Sequence, residues 1–176
     1  MFESERIQRA LDFAAQKHKG QKRIGGQDYI SHLIAVCEMV KGQGYGEDFQ
    51  IAALFHDLLE DTNATEDEIL EYGNQNVLTA VKLLTKEKGC DMQQYIKAIK
   101  DNPIAFVVKS ADRLHNLQSA LVASGDFKRK YILETVDWYL DFSKDIKKAV
   151  KKLAESLDVP IAGLSFLYDP IESWQV

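Results

Sequence analysis

Cysteine and proline are scarce in this chain, and both scarcities exclude classes of protein. The two cysteines, Cys37 and Cys90, provide neither a disulfide framework nor the four-ligand spacing of a zinc ribbon. They are expected to be reduced thiols, as in cytoplasmic proteins. Three prolines and ten glycines among 176 residues leave little room for long loops. A hydrophobic content of 45% is ordinary for a globular protein and excludes a mainly disordered chain.

Long apolar runs and an excess of positive charge are also missing. No apolar run approaches the roughly 18 residues that a membrane-spanning helix needs, and the charged first ten residues do not resemble a signal peptide. The net charge of −5 argues against DNA or RNA as the main partner, because binding to a phosphate backbone needs a basic surface. We therefore expect a cytoplasmic protein that binds neither nucleic acid nor a membrane.

The chain contains one amphipathic helical pattern after another. Apolar residues recur at helical spacing from Ile7, and residues 49–59 are nearly all apolar, which is typical of a central, buried helix. Thr65 and Glu68 predict a capping box at which a short helix begins, and the other predicted helices span about residues 29–41, 76–84, 92–100, 104–117 and 128–157. No stretch alternates long enough to require a sheet. The sequence predicts an all-α helical bundle in residues 1–158, with a tail, residues 159–176, packing on the same domain.

Histidine and aspartate side chains interrupt this apolar pattern. His56 and Asp57 lie within the most apolar segment, where polar groups are costly unless they are paired or bind a ligand. A site with two histidines and two aspartates would take His32, the pair His56–Asp57 and Asp112 from three helices. Such mixed ligands suit Mn, Fe, Zn or Ni ions, and an ion of this kind acidifies water. His18 and His115, in contrast, are interpreted as structural residues.

Two further carboxylates follow the His–Asp pair. Glu60 lies four residues after His56, and Asp61 lies four residues after Asp57, so each pair would share a helix face. One carboxylate could take a proton from an attacking water, and the other could order the surroundings of the metal or assist the leaving group.

Three segments carry a resemblance to a known family. They are AQKHKGQKRIGGQDYISH (residues 15–32), AALFHDLLEDTNATEDEI (residues 52–69) and VKSADRLHNL (residues 108–117). With these segments the chain resembles the HD superfamily of metal-dependent phosphohydrolases, and within it the hydrolase domain of the RelA/SpoT family, which includes stand-alone small alarmone hydrolases. The resemblance implies an HD-domain helical bundle with hydrolase activity.

The resemblance also implies roles for individual residues. The implied metal ligands are His32, His56, Asp57 and Asp112, with Mn²⁺ as the usual ion, and the implied catalytic pair is Glu60 and Asp61. Arg23 matches an arginine that stacks on the guanine base, and Asn116 matches an asparagine that contacts the nucleotide. Lys109 is shared as well, either as a substrate-binding residue or as a helix residue whose aliphatic stem covers apolar surface.

The chain departs from the family pattern at four positions. Ile24 and Gly25 replace a lysine and a serine, Gln118 replaces an arginine, and Leu33 replaces a proline. Two cations that would meet phosphate are therefore absent, whereas the metal-binding residues are intact. Hydrolysis is accordingly better supported by the sequence than the identity of the substrate.

Three functions remain open from the sequence. The first is Mn²⁺-dependent hydrolysis of guanosine 3′,5′-bis(pyrophosphate) to a guanine nucleotide and pyrophosphate. The second is hydrolysis of another nucleotide or phosphoester, and the third is a non-catalytic domain that binds a nucleotide. The expected partner is a small guanine nucleotide, and assembly into a homo-oligomer is left open.

Overall fold

The computed structural model describes residues 4–174, and helices form nearly all of its regular structure. The α-helices are α1 Glu5–Lys17, α2 Ile30–Gly42, α3 Glu47–Phe55, α4 Leu58–Asp61, α5 Glu66–Tyr72, α6 Gln75–Leu84, α7 Met92–Asp101, α8 Pro103–Ser119, α9 Gly125–Trp138 and α10 Lys144–Glu155. Short 3₁₀ turns cover Ala120–Val122, Ser165–Tyr168 and Ile171–Ser173. Within these described residues the extended pairing is an isolated bridge between Lys22 and Asp28. The predicted all-α fold is confirmed.

The chain divides into two compact units, Met1–Asp112 and Arg113–Val176. The boundary between them falls inside α8. The division into a domain of residues 1–158 and a tail of residues 159–176 stays a prediction.

Helix α3 forms the centre of the first unit, where it packs against α1, α2 and α6. Its residues 51–55 have no exposed surface, which explains why this segment is apolar on every side. The ring of Phe13 contacts that of Phe55 edge-on at 5.6 Å and stacks on Tyr72 at 4.3 Å between centroids. Burial of each large apolar side chain contributes about 1.5–3 kcal/mol, so this core provides a rigid support for the polar residues that follow α3.

Local signals at helix ends agree with the sequence. Thr65 accepts a hydrogen bond from the backbone nitrogen of Glu68, whose side chain accepts one from the backbone of Thr65, so the predicted capping box is present. The glycine-rich segment after α2 is a plain connection to α3, in which Gly44 adopts a φ of +84° that side-chain-bearing residues rarely adopt.

Two segments that the sequence predicts as continuous helices are broken. Helix α3 ends at Phe55, and a turn precedes α4. The single helix predicted over residues 128–157 is wrong: α9 ends at Trp138, and α10 begins after Ser143, whose hydroxyl accepts a hydrogen bond from the backbone nitrogen of Ile146. Residues in the connection, including Tyr139, are buried, so the apolar pattern continues although the helix does not.

In the second unit, α9 and the 3₁₀ turn Ser165–Tyr168 both pack against α10. The ammonium group of Lys151 donates to the carbonyl oxygens of Leu167 at 3.3 Å and Asp169 at 2.9 Å. Leu167 and Trp174 are buried, so the end of the described chain is anchored on α10. No helix among residues 4–174 is both long enough and apolar enough to cross a membrane.

Candidate metal centre

The structure brings the four predicted metal ligands together. The Nε2 atoms of His32 and His56 lie 3.3 Å apart. Oδ2 of Asp57 lies 3.0 Å from Nε2 of His56 and 3.9 Å from Nε2 of His32. Oδ1 of Asp112 lies 3.2 Å from Nε2 of His32 and 3.6 Å from Nε2 of His56. Two imidazole nitrogens and two carboxylate oxygens therefore converge on one small volume of the first unit.

The break between α3 and α4 sets the direction of the His–Asp pair. Asp57 lies in the break with φ −103° and ψ 0°, so the two side chains do not have the angular offset of neighbours in a continuous helix. Nδ1 of His56 lies 2.8 Å from the carbonyl oxygen of Ala53, which can only accept a hydrogen bond. Nδ1 therefore carries a proton, and Nε2 is the nitrogen that faces the cluster, as in a metal-binding histidine whose other nitrogen donates to a carbonyl oxygen.

Burial and charge make this cluster a favourable place for a cation. Burial alone would raise the pKa of Asp57, but His56 and the hydroxyl of Tyr29 outweigh it and lower that pKa to about 2. For Asp112, Lys109 and the two imidazoles likewise outweigh burial and hold its pKa well below the ordinary value. Both carboxylates are therefore ionised at neutral pH, although the Asp112 side chain is only 7% exposed.

The two imidazoles differ in their proton affinity. Burial lowers the pKa of His32, so the imidazole is neutral and its Nε2 can donate an electron pair to a metal ion. Burial also acts to lower the pKa of His56, but the carboxylates of Asp57 and Asp112 outweigh it and raise that pKa to about 10. A field that stabilises a proton so strongly also stabilises a divalent cation. The donor set thus fits a divalent metal ion, with nitrogen and oxygen ligands of the kind used by Mn, Fe and Zn.

The two carboxylates of the predicted catalytic pair have different partners. Oδ2 of Asp61 lies 3.3 Å from the hydroxyl of Tyr29, and burial, followed by the charge of Asp57, raises the pKa of Asp61. Oε2 of Glu60 instead accepts a hydrogen bond of 3.0 Å from the backbone nitrogen of Lys86. The segment after α6 therefore lies beside Glu60, a proximity that the sequence did not reveal.

The loop between α1 and α2 carries Arg23. Its guanidinium carbon lies 5.8 Å from the ring centroid of Tyr29, within the range of a cation–π contact. At the departures from the family pattern, Ile24 is 58% exposed and Gly25 adopts a φ of +101°. A serine would adopt that backbone conformation only at a cost, so the glycine suits the loop geometry of this chain.

The other two predicted substrate-binding residues, Lys109 and Asn116, belong to different units. Nζ of Lys109 lies 3.0 Å from Oδ2 of Asp112, so Lys109 contacts a candidate metal ligand. Asn116 belongs to the second unit. For both residues a contact with a nucleotide stays a prediction.

Sequence reasoning missed Tyr29, Gln21 and the role of His18. The hydroxyl of Tyr29 lies 2.6 Å from Oδ2 of Asp57. The ring of His18, interpreted from sequence as a helix-end residue, is buried and stacks on Tyr29 with 4.8 Å between centroids. The available signal was the position of Tyr29 three residues before His32, which places both on one helix face.

Comparison with known proteins identifies relatives of the chain. Residues 10–145 match the family model described as the HD domain. A guanosine-3′,5′-bis(diphosphate) 3′-pyrophosphohydrolase of Aquifex aeolicus is 35% identical over 144 residues, which cover 77% of this chain and 21% of the relative. A GTP pyrophosphokinase rsh of Brucella melitensis is 30% identical over 180 residues, covering 96% of this chain and 23% of the relative. The chain thus spans less than a quarter of the length of these curated relatives.

A solved structure gives an independent comparison of the fold. It is described as a metazoan ortholog of SpoT that hydrolyzes ppGpp, and it superposes with a TM-score of 0.71 over 88% of this chain and 97% of that chain at 22% sequence identity. The fold is therefore shared. Since the family match spans most of the chain and includes all four clustered histidines and aspartates, the chain belongs to the HD domain family, which implies a site for a divalent metal ion.

Proposed function

We propose that the chain is a Mn²⁺-dependent hydrolase that removes the 3′-pyrophosphate of guanosine 3′,5′-bis(diphosphate). Water would attack the phosphorus bound to the 3′-oxygen, and the bond between these two atoms would break. The products would be GDP, with a free 3′-hydroxyl, and pyrophosphate. The observation that carries the proposal is the cluster of His32, His56, Asp57 and Asp112, with Nε2–Nε2 and Nε2–Oδ contacts of 3.0–3.9 Å. The names of the relatives from Aquifex and Brucella support this substrate.

The four clustered residues would hold the metal ion. Two ionised carboxylates would offset its charge, and hydrogen bonds to Ala53 and Tyr29 would fix the donor atoms of His56 and Asp57. The chemistry that Mn²⁺ supplies when bound is that of a Lewis acid, which lowers the pKa of water and withdraws charge from a phosphoryl oxygen. The two carboxylates are ligands of the kind that Mn²⁺ prefers, whereas the two imidazoles also suit Fe and Zn, so Mn²⁺ is proposed here from the family resemblance.

Asp61 and Glu60 would move protons. The raised pKa of Asp61 makes this carboxylate a stronger base than an ordinary aspartate, which favours it for deprotonating the attacking water. Glu60 is exposed and tied to the backbone of Lys86. Glu60 would either order the attacking water or protonate the leaving oxygen, from its position beside the segment that contains Lys86.

Arg23 would hold the guanine base. Its planar guanidinium is suited to stacking on a flat ring, and the side chain is half-buried beside Tyr29. Asn116 and Lys109 are proposed as further contacts of the nucleotide. A small nucleotide substrate is also consistent with the net charge of −5, which disfavours nucleic acid. The proposed location of the protein is the cytoplasm.

Product analysis tests this function directly. Purified protein with Mn²⁺ is given guanosine 3′,5′-bis(diphosphate) and, separately, a panel of nucleoside mono-, di- and triphosphates. Release of pyrophosphate and GDP from the first substrate alone would support the proposal, and the Asp57→Ala variant should release neither. Orthophosphate from other nucleotides, with the bis(diphosphate) untouched, would replace it with the second candidate, a hydrolase of another nucleotide.

That second candidate is favoured by one specific observation. The family pattern carries a lysine and a serine at two positions of this loop. Here they are an exposed Ile24 and Gly25, which has a positive φ. The loop therefore offers no cation for phosphate at these two positions, so a less highly charged phosphoester remains a reasonable substrate to test.

A further inference from the structure

The hydroxyl of Tyr29 lies between two carboxylates of the metal centre. It is 2.6 Å from Oδ2 of Asp57 and 3.3 Å from Oδ2 of Asp61. Oδ2 of Asp57 is also the oxygen nearest to Nε2 of His56, so Tyr29 contacts the same oxygen that faces the other ligands. A phenol hydroxyl carries its proton at neutral pH, so the hydroxyl of Tyr29 can donate a hydrogen bond to a carboxylate oxygen.

The ring of Tyr29 is itself held in place. His18 stacks on it with an interplanar angle of 17°. Nδ1 of His18 lies 2.7 Å from Oε1 of Gln21, and the amide nitrogen of Gln21 donates to the carbonyl oxygen of Asp61 at 2.8 Å. Because the amide nitrogen of Gln21 is the donor to Asp61, its Oε1 is the acceptor, and Nδ1 of His18 carries the proton.

These contacts tie the loop between α1 and α2 to the segment that contains Asp57 and Asp61. Gln21 donates to the backbone of Asp61, whereas the one hydroxyl proton of Tyr29 goes to Oδ2 of Asp57, with Oδ2 of Asp61 lying 3.3 Å from the same hydroxyl. The same aromatic ring lies beside the guanidinium of Arg23. A single tyrosine thus contacts a candidate ligand, a candidate base and a candidate substrate-binding residue.

We propose that Tyr29 is a positioning residue of this centre. Its hydroxyl has one proton, which it donates to Oδ2 of Asp57, and this hydrogen bond holds that oxygen in the cluster of candidate ligands. The same hydroxyl lies against Asp61, and the ring lies beside Arg23. Hydrogen bonds to metal ligands commonly contribute 10- to 100-fold to metal affinity. The effect on Asp57 depends on the metal site alone, whereas the effects through Asp61 and Arg23 rest on the proposed hydrolase function.

The two parts of Tyr29 can be separated by substitution. Tyr29→Phe removes the hydroxyl but keeps the ring, so it should weaken Mn²⁺ binding by about 10-fold or more and lower kcat while KM stays unchanged. Tyr29→Leu removes the ring as well and should in addition raise KM. Mn²⁺ binding is measured by calorimetric titration of chelator-treated protein, and kcat and KM are measured at saturating Mn²⁺.

Tyr95→Phe is the matched control. Tyr95 is buried, and its hydroxyl donates to the carbonyl oxygen of Leu84 at 2.8 Å, so its substitution removes a buried hydrogen bond that does not involve a candidate ligand. Thermal unfolding of all variants compares their stability. Equal losses of Mn²⁺ affinity in Tyr29→Phe and Tyr95→Phe would overturn the positioning role, because they would reflect general destabilisation. Wild-type affinity in Tyr29→Phe would overturn it as well.

The titration also separates this inference from the proposed function. If wild-type protein binds Mn²⁺ but hydrolyses no guanosine 3′,5′-bis(diphosphate), the function fails, and the affinity ratio of Tyr29→Phe to wild type still decides the role of the hydroxyl. If wild-type protein binds no divalent metal ion, the positioning role fails together with the metal site.

Discussion

Oε2 of Glu60 lies 3.0 Å from the backbone nitrogen of Lys86 and accepts its hydrogen bond. Asp61, the next residue, has its carboxylate beside the hydroxyl of Tyr29. Adjacent acids thus have different environments, one tied to the segment after α6 and the other next to the candidate ligand Asp57. Each residue is therefore tested by its own substitution.

Replacement of Glu60 by glutamine tests its charge alone. Glutamine keeps an oxygen that can accept the hydrogen bond from Lys86, so Mn²⁺ affinity and the melting temperature should stay at wild-type values. Loss of the carboxylate should lower kcat by about 10²- to 10⁴-fold, as measured by pyrophosphate release. An unchanged kcat would remove Glu60 from the proton transfers.

Replacement of Asp61 by asparagine tests the proposed base. Asparagine cannot take a proton from water, so kcat should fall by about 10²- to 10⁴-fold, while Mn²⁺ binding, measured by titration, persists. The wild-type kcat should rise with pH as the carboxylate of Asp61 loses its proton, because a general base must be ionised to accept a proton. A residual kcat in Asp61→Asn that followed the same pH profile would assign that titration to another group.

Replacement of Asp57 by asparagine should weaken Mn²⁺ binding by at least about 100-fold, since even residues that only support ligands contribute 10- to 100-fold. Turnover should be lost with the metal. Asp67→Asn is the control, because Asp67 is an exposed acid in the first turn of α5. Turnover by a metal-depleted Asp57→Asn protein would contradict the assignment of Asp57 as a ligand.

The fold and the clustering of the candidate ligands were accessible from sequence for separate reasons. Helices were predictable because each buries one apolar face against the core. The cluster was predictable because His56 and Asp57 interrupt an apolar segment in which unpaired polar groups are costly. The four-residue spacing pointed to Glu60 and Asp61, and the family resemblance implied their catalytic role.

The features that were missed depend on tertiary contacts. The connection between α9 and α10 was not predicted, because its residues stay buried and continue the apolar pattern. The role of Tyr29 was not predicted, because an aromatic residue in register with an apolar face is indistinguishable from core residues, and its hydroxyl contacts a residue 28 positions away.

Arg23→Ala should raise KM for the guanine nucleotide and leave kcat near the wild-type value, because the arginine is proposed to contact the base and not the reacting phosphate. A matched control exists in Arg9, whose guanidinium carbon lies at the same 5.8 Å from the ring of another tyrosine, Tyr72. Arg9→Ala removes an equivalent cation–π contact away from the ligands and should not alter KM. Equal KM values for the two variants would show that Arg23 does not hold the base.

Acid stability should depend on Asp48 at the start of α3. Its carboxylate accepts hydrogen bonds from Asn74 at 2.9 Å, Arg6 at 2.8 Å and Asn76 at 3.2 Å. Burial acts to raise the pKa of Asp48, but these hydrogen bonds outweigh it and lower that pKa below its ordinary value of 3.8. For a lowered pKa, the stabilisation is fully present above the unfolded-state pKa and is lost as the pH falls through the folded-state pKa.

Asp48→Asn should therefore lower the free energy of unfolding by about 1–2 kcal/mol at pH 7, and the difference from wild type should shrink at pH 3 and below. Urea unfolding at both pH values, with chelator present so that metal binding does not contribute, measures the difference. Asp67→Asn, which removes an exposed acid in the first turn of α5, is the control for the loss of one surface charge. A deficit in Asp48→Asn that is equally large at both pH values would mean that side-chain shape, and not the charge of Asp48, stabilises this end of α3.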